Sequence, residues 1–169
     1  MCSYCGCRAI TPIGDLTAEH VTIQNLCGEV RRAVSAGDHA TAAARLSELA
    51  DVVHEHDAVE EQSIYPAMGR IPEFGDKVGT LFDEHDELDA VIDEALATVA
   101  SDGPAAVRWD ALLAVFEVLL EHIQHEENGL FPAAAIALDT PDWEHAMRVR
   151  EEYHRIHPDA PGPQHTDAL

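Results

Sequence analysis

Apolar side chains recur along this chain every three to four positions in four long segments, and several histidines and glutamates fall inside the apolar stripes. The first stripe reads Leu16, His20, Ile23, Cys27, Val30 and Val34, and the second reads Leu46, Leu49, Val53, His56, Glu60 and Ile64. A third carries Val78, Leu81, His85, Leu88, Ile92, Leu96 and Val99, and a fourth carries Leu112, Phe116, Leu119, His122, Glu126 and Leu130. Residues three and four apart share one helix face, so each stripe predicts an amphipathic helix with its apolar side inward. The stop and start signals fit this division. Gly37 closes a helix running from about Asp15 to Ala36, and Asp38 caps a second that runs to about Pro66. Pro72, Gly75 and Asp76 turn the chain into a third helix ending near Gly103. Pro104 suits the first position of a fourth, which reaches Pro132 or one turn beyond. Thr140-Pro141-Asp142 starts a short helix that stops near His157-Pro158. The expected fold is all-α: an up-down-up-down four-helix bundle over residues 15–138 with an extra short C-terminal helix. A Cys-rich segment, 1–14, precedes the bundle, and 139–169 hold the short helix and a Pro-rich tail expected to be disordered.

Burying a polar group on an inward stripe is costly unless it is paired or bound to metal. Here six such groups share four stripes, and they occur in duplicate. His56-Asp-Ala-Val-Glu60-Glu61-Gln-Ser-Ile64-Tyr65-Pro66 and His122-Ile-Gln-His-Glu126-Glu127-Asn-Gly-Leu130-Phe131-Pro132 both read His-x-x-x-Glu-Glu-x-x-aliphatic-aromatic-Pro, 66 residues apart. Leu16-Thr-Ala-Glu19-His20 is matched 65 residues later by Leu81-Phe-Asp-Glu84-His85. A lone His-x-x-x-Glu on a helix is usually a solvated pair. Two copies, with two further in-stripe histidines, predict a metal centre assembled between helices. The depths agree: His20 and His85 lie early in their helices, while His56 and His122 each come 18 residues after the expected starts at Asp38 and Pro104. In an up-down-up-down array those positions lie level. Four imidazoles and two carboxylates exceed the ligand set of one zinc. Divided between two cations, with Glu60 and Glu126 bridging, they make a dinuclear site. Imidazole and carboxylate with positions left open favour iron over calcium or copper, and leave zinc and manganese open.

Composition narrows the partners. Ten Lys+Arg against 32 Asp+Glu give a net charge of −22, which repels nucleic acid and anionic lipid. No run of eighteen apolar residues and no signal-peptide pattern occurs, so neither a membrane partner nor secretion is expected, and the default location is cytoplasmic. Cys2, Cys5 and Cys7 are too close together to staple a fold and point to redox or metal-binding thiols in a reducing compartment. A thiol relay, a metal-delivery site or a redox sensor is one reading of this segment; a flexible tail with adventitious metal binding is the other. Cys27 is expected to pack as a small core residue. His54 is expected at the surface, His125 at the edge of its stripe beside the ligands, and His39, His145, His154, His157 and His165 in solvent.

At these motifs the chain resembles the hemerythrin-like family, in particular its HHE cation-binding branch, over about residues 15 to 135. The order His-x-x-x-Glu separates it from ferritin-like di-iron bundles, which carry Glu-x-x-His. The resemblance implies a non-haem di-iron centre, two Fe cycling between Fe2+ and Fe3+ with an oxo or hydroxo bridge, that meets O2, peroxide or nitric oxide. By motif position the implied ligands are His20, His56, Glu60, His85, His122 and Glu126. Two departures stand out. Reversible oxygen carriers of the family have a second histidine four residues after the one on helix three, where this chain has Asp89. The helix-four carboxylate also comes one residue sooner than in those carriers and is Glu. Asp89, Glu61, Glu127 or water would fill the vacancy, leaving a more open or more anionic centre.

Such a centre favours redox chemistry or sensing over reversible O2 storage. The leading expectation is a protein that binds or reduces O2, peroxide or NO, with oxidase, peroxidase or catalase-like, or NO-reducing turnover as its enzymatic forms. The alternative is an O2, redox or iron sensor, or an iron-handling protein, without turnover. Some hemerythrin-like proteins that repair damaged iron centres share the layout of an N-terminal Cys segment before the bundle. A metal-free acidic bundle with polar core layers is the third reading. The sequence assigns no catalytic residue, electron donor or protein partner.

Overall fold

The computed structural model describes residues 6–160, which exclude Cys2, Cys5 and the end of the Pro-rich tail. The described residues form helices joined by short turns, with no strand among them. After a short 3-10 turn, Cys7–Ala9, helix α1 spans Thr11–Ser35. Helix α2 begins at His39 and continues through His39–Val59, a π-helical turn Glu60–Ile64 and a final turn Tyr65–Gly69. Helix α3 is Gly75–Asp102. Helix α4 repeats the plan of α2: Trp109–His125, a π-helical turn Glu126–Leu130, then Phe131–Ala137. Helix α5, Thr140–Ile156, follows.

Three boundaries differ from the sequence reading, one of them the end of α2, which continues past Pro66 to Gly69. Helix α1 starts at Thr11 rather than Asp15, because Pro12 occupies its first turn, where a missing N–H costs nothing. Helix α4 starts at Trp109 rather than Pro104. Pro104 opens a separate 3-10 turn, Pro104–Ala106, and the Trp109 indole N–H donates to the Pro104 carbonyl at 3.0 Å. The equal 18-residue offsets of His56 and His122 therefore do not survive, although the two histidines still meet. Two local devices tighten the α1–α2 hairpin. Gly37 takes φ of 71°, so its N–H reaches Val34 O and that of Asp38 reaches Ala33 O, closing α1. The Asp38 carboxylate then accepts from the Thr41 N–H at 3.0 Å and caps α2.

Helix α1 packs on α2, α2 on α3, α3 on α4, and α4 back on α1, while α5 lies across α2 and its π turn. The apolar interior is split in two. One cluster contains Ile23, Val30, Leu46, Val53, Leu88, Ile92, Phe116, Leu119 and Ile123. The other contains Ile13, Leu16, Ile64, Tyr65, Met68, Leu81, Leu130 and Phe131. Between them on each helix sits the polar group of its stripe: His20 between Leu16 and Ile23, His85 between Leu81 and Leu88. Two apolar plugs thus enclose one polar layer, and water is excluded from both ends.

Candidate metal centre

Four imidazoles and two carboxylates converge in that layer, and all six are buried. Nε2 of His20 and Nε2 of His56 lie 3.1 Å apart, and Nε2 of His85 and Nε2 of His122 lie 2.9 Å apart. Glu126 reaches both pairs: one oxygen is 3.1 Å from His20 Nε2, the other 3.4 Å from His122 Nε2. Glu60 does likewise, with Oε2 3.3 Å from His56 Nε2 and 3.6 Å from His85 Nε2. Donor atoms of Glu60, His85, His122 and Glu126 fall within 4.8 Å of one another, as do those of His20, His56 and Glu126.

Each imidazole is oriented from behind by a further carboxylate at Nδ1. Glu19 holds His56 at 3.0 Å and Glu84 holds His122 at 2.7 Å. Glu127 holds His20 at 3.1 Å and Glu61 holds His85 at 3.0 Å. A carboxylate at Nδ1 fixes the ring orientation, leaves Nε2 facing the interior and raises its basicity toward a cation. The four pairings form two symmetric sets: Glu19 and Glu84 act within their own half of the chain, while Glu61 and Glu127 cross to the other half. The first half has an additional layer. Arg150 of α5 is buried against Glu19 and Glu55, and His154 Nε2 lies 3.0 Å from Glu55. On the opposite side Glu84 opens onto a cavity of about 370 Å³ lined by Phe74, Lys77, Thr80, Leu81 and Gly129 among others.

The π turns explain the aromatic-Pro ending of each motif. Pro66 and Pro132 have no N–H and their rings crowd the carbonyl four residues back, so the ladder must rearrange. It does so by bonding five residues apart: Tyr65 N–H to Glu60 O, and Phe131 N–H to Glu126 O. The Gln62 carbonyl, which Pro66 cannot serve, accepts from His145 Nε2 of α5 at 3.0 Å. In a regular α-helix the residue five after Glu60 would sit about 140° around the axis. The wider turn brings it back over the glutamate. The Tyr65 hydroxyl consequently donates to Glu126 at 2.5 Å and lies 3.1 Å from His85 Nε2. Phe131 instead stacks on His20, with ring centroids 5.5 Å apart.

Opposite charges packed into one buried layer shift each other's titration. Burial alone would lower His56 and His122, but Glu60, Glu126 and the outer carboxylates outweigh it; His56 is raised well above its usual value and His122 to about 9. Burial would raise Glu126, but His122, His20 and His56 outweigh it and hold the carboxyl well below its usual range. Burial raises Asp57 to about 7 against the pull of His85 and His56. Both oxygens of Glu60 and Oδ2 of Asp57 are buried without any hydrogen-bond partner. An unsatisfied buried polar group costs about 1–3 kcal/mol, more when charged, so a layer with three such oxygens needs positive charge between them. Imidazole nitrogens and carboxylate oxygens are donors suited to that charge being a transition-metal cation.

Of the remaining sequence candidates, Glu61 and Glu127 address Nδ1 of His85 and His20 rather than the shared interior. Asp89 is about one-third exposed and lies 3.8 Å from His54. His125 is exposed and lines the outer cavity. Cys7 is buried in the second apolar cluster, Cys27 packs in the first, and Cys2 and Cys5 lie outside the described residues. His145 and His154 bind α5 to α2 instead of facing only solvent. Sequence reasoning gave no role to Glu19, Glu84, Glu55, Asp57, Tyr65 or Arg150. The duplication already flagged Glu19 and Glu84; Arg150 and Glu55 carried no local signal.

Fold and layer together define a helical protein whose His/Glu clusters could hold metal ions. The model of the hemerythrin HHE cation-binding domain matches residues 11–134, and the chain belongs to that family. Comparison with curated proteins and with solved structures gave no significant match.

Proposed function

We propose that this chain is a non-haem di-iron protein that binds or reduces O2, peroxide or NO, in the frame of an up-down-up-down four-helix bundle with an appended C-terminal helix. The observation that carries the reading is two imidazole pairs facing each other across two shared carboxylates, with buried oxygens that no protein donor satisfies. His20 and His56 would hold one cation and His85 and His122 the other, with Glu60 and Glu126 common to both. The ring of helix contacts supports the bundle topology. Bound iron would supply one-electron redox chemistry and open coordination positions for a small ligand. The chain's own contribution is positional: four carboxylates fix the imidazoles, and the apolar plugs keep bulk water out. The Tyr65 hydroxyl keeps a proton within the layer, because burial and the neighbouring Glu60 and Glu126 charges raise it well above its usual value. It is the candidate proton donor to a ligand reduced there.

Sensing without turnover is the second reading, and one observation favours it. Arg150 joins α5 to Glu19, which holds His56, so occupancy of the centre and seating of α5 share a contact. Elemental analysis with an ultraviolet–visible spectrum of aerobically purified protein tests the centre. About two irons per chain with oxo-bridge charge-transfer bands are expected, and failure to take up iron under anaerobic reconstitution would overturn it. Mixing reduced protein with O2, H2O2 or NO then separates turnover from stoichiometric binding.

A further inference from the structure

The two halves of the polar layer match at every imidazole and at the carboxylates around them, and they differ at two buried side chains that reach into that layer. His20 corresponds to His85, His56 to His122, Glu60 to Glu126, Glu19 to Glu84 and Glu61 to Glu127. Tyr65 stands where the second copy has Phe131, and Asp57 stands where it has Ile123. Ile123 is 2% exposed within the apolar cluster, so the corresponding place in the fold accepts an aliphatic side chain and has no structural need of a charge. Asp57 is 6% exposed nonetheless. Its Oδ1 lies 3.5 Å from His85 Nε2, and its Oδ2 is among the buried oxygens with no partner. A donor oxygen of Asp57 also falls within 4.8 Å of donors of His56 and Glu60.

We propose that Asp57 is a protein ligand to the cation held by His85 and His122, and that it makes the two cation positions of the centre unequal. The inference rests on the dinuclear reading above and names the further ligand that reading lacks. Glu61 and Glu127 are committed at the Nδ1 atoms, and Asp89, although its Oδ1 is also buried without a hydrogen-bond partner, belongs to a side chain about one-third exposed, 3.8 Å from His54. Asp57 is the carboxylate outside the duplicated set that is buried with an oxygen facing the shared interior. One position then has two imidazoles and a carboxylate of its own, whereas the other has two imidazoles alone. Glu60 and Glu126 serve both. More anionic donors raise affinity for a divalent cation, so the His85/His122 position fills first. In the metal-free protein the same side chain is a liability, an ionisable group held in the core with one oxygen unpaired.

The test is a titration of the metal-free full-length chain with Co(II), followed by visible absorption and calorimetry. The wild-type chain takes up two equivalents in separable steps, the tighter stronger by about tenfold or more, in line with the loss that follows removal of even an indirect metal partner. Asp57→Ile, which copies Ile123, and the near-isosteric Asp57→Asn each weaken the tighter step at least about tenfold and leave the weaker one in place. Asp89→Asn changes neither. His85→Ala abolishes the tighter step, and His20→Ala spares it. Metal-free Asp57→Ile melts higher than wild type yet gains less on loading, a reversal that a purely structural side chain would not produce. Unchanged steps in both Asp57 variants, or loss of the tighter step in His20→Ala instead of His85→Ala, would overturn the proposal while leaving the dinuclear reading intact. Wild-type protein that takes up no metal would remove both.

Discussion

Arg150→Met isolates what α5 does for the site. Arg150 is 7% exposed and bonds two buried carboxylates, Glu19 and Glu55, from a helix outside the ring α1–α4. Its counter-charges lie on both sides of the first half-site: Glu19 grips His56 Nδ1, and Glu55 directly precedes His56 in α2. Methionine keeps the length and the apolar stem but leaves two carboxylates desolvated without their cation. Removing one partner of a buried pair costs about 3–5 kcal/mol, chiefly through the stranded charge. At about 2–4 °C per kcal/mol for a domain of this size, melting should fall by roughly 6–20 °C. Affinity at the His20/His56 position should fall about 10- to 100-fold, because Glu19 no longer has a fixed position. Calorimetric melting of metal-free and metal-loaded protein measures the first effect and metal titration the second. Adding Glu19→Gln and Glu55→Gln to Arg150→Met should recover much of the melting temperature and none of the affinity. Glu84→Gln, on the more open half, should cost less stability than Glu19→Gln. A variant melting within about 2 °C of wild type, equivalent to under 1 kcal/mol, would refute the claim that Arg150 neutralises this network.

Further outcomes follow from the same layer. In the metal-free protein His122 and Asp57 bind protons more tightly folded than unfolded, at about 9 and about 7. The stability His122 contributes is intact below its unfolded value of about 6.5 and disappears as pH rises through 9, while Asp57 begins to cost above about 4. Melts between pH 6 and 9 should therefore show the metal-free form weakening; metal affinity should strengthen over that range, since cations displace those protons. A flat metal-free profile would contradict the burial of these charges. Tyr65→Phe, which copies Phe131, should retain metal uptake while slowing any peroxide turnover by about 10²-fold or more, and equal rates would eliminate the phenol as proton donor. Burial raises the Cys27 thiol to about 12, so iodoacetamide should leave it unmodified in native protein and label it only after denaturation, as read by peptide mass mapping.

Helix periodicity and duplication determined much of this protein from one dimension. A stripe tells which face of a helix turns inward, and a polar residue repeated within two such stripes needs a shared partner, so His20, His56, His85, His122, Glu60 and Glu126 could be read directly. Family membership came with them. Helix starts were legible only where local chemistry decides: Asp38 caps as expected, but Pro104 signals a helix start and the Trp109 indole, binding its carbonyl, moves the start to Trp109. Pro66 reads as a helix end, yet a π turn carries α2 past it to Gly69, and how the backbone accommodates the missing N–H at Pro66 and Pro132 decides where Tyr65 and Phe131 lie. Tertiary structure alone decided which carboxylates stand behind which imidazoles, because Glu127 reaches His20, and Glu61 reaches His85, across the interface between halves. It alone also decided the burial of Glu55, Asp57 and Arg150, since whether a polar residue on the flank of a helix meets water depends on what another helix lays over it. Periodicity reports the face a residue occupies; only packing reports what covers that face.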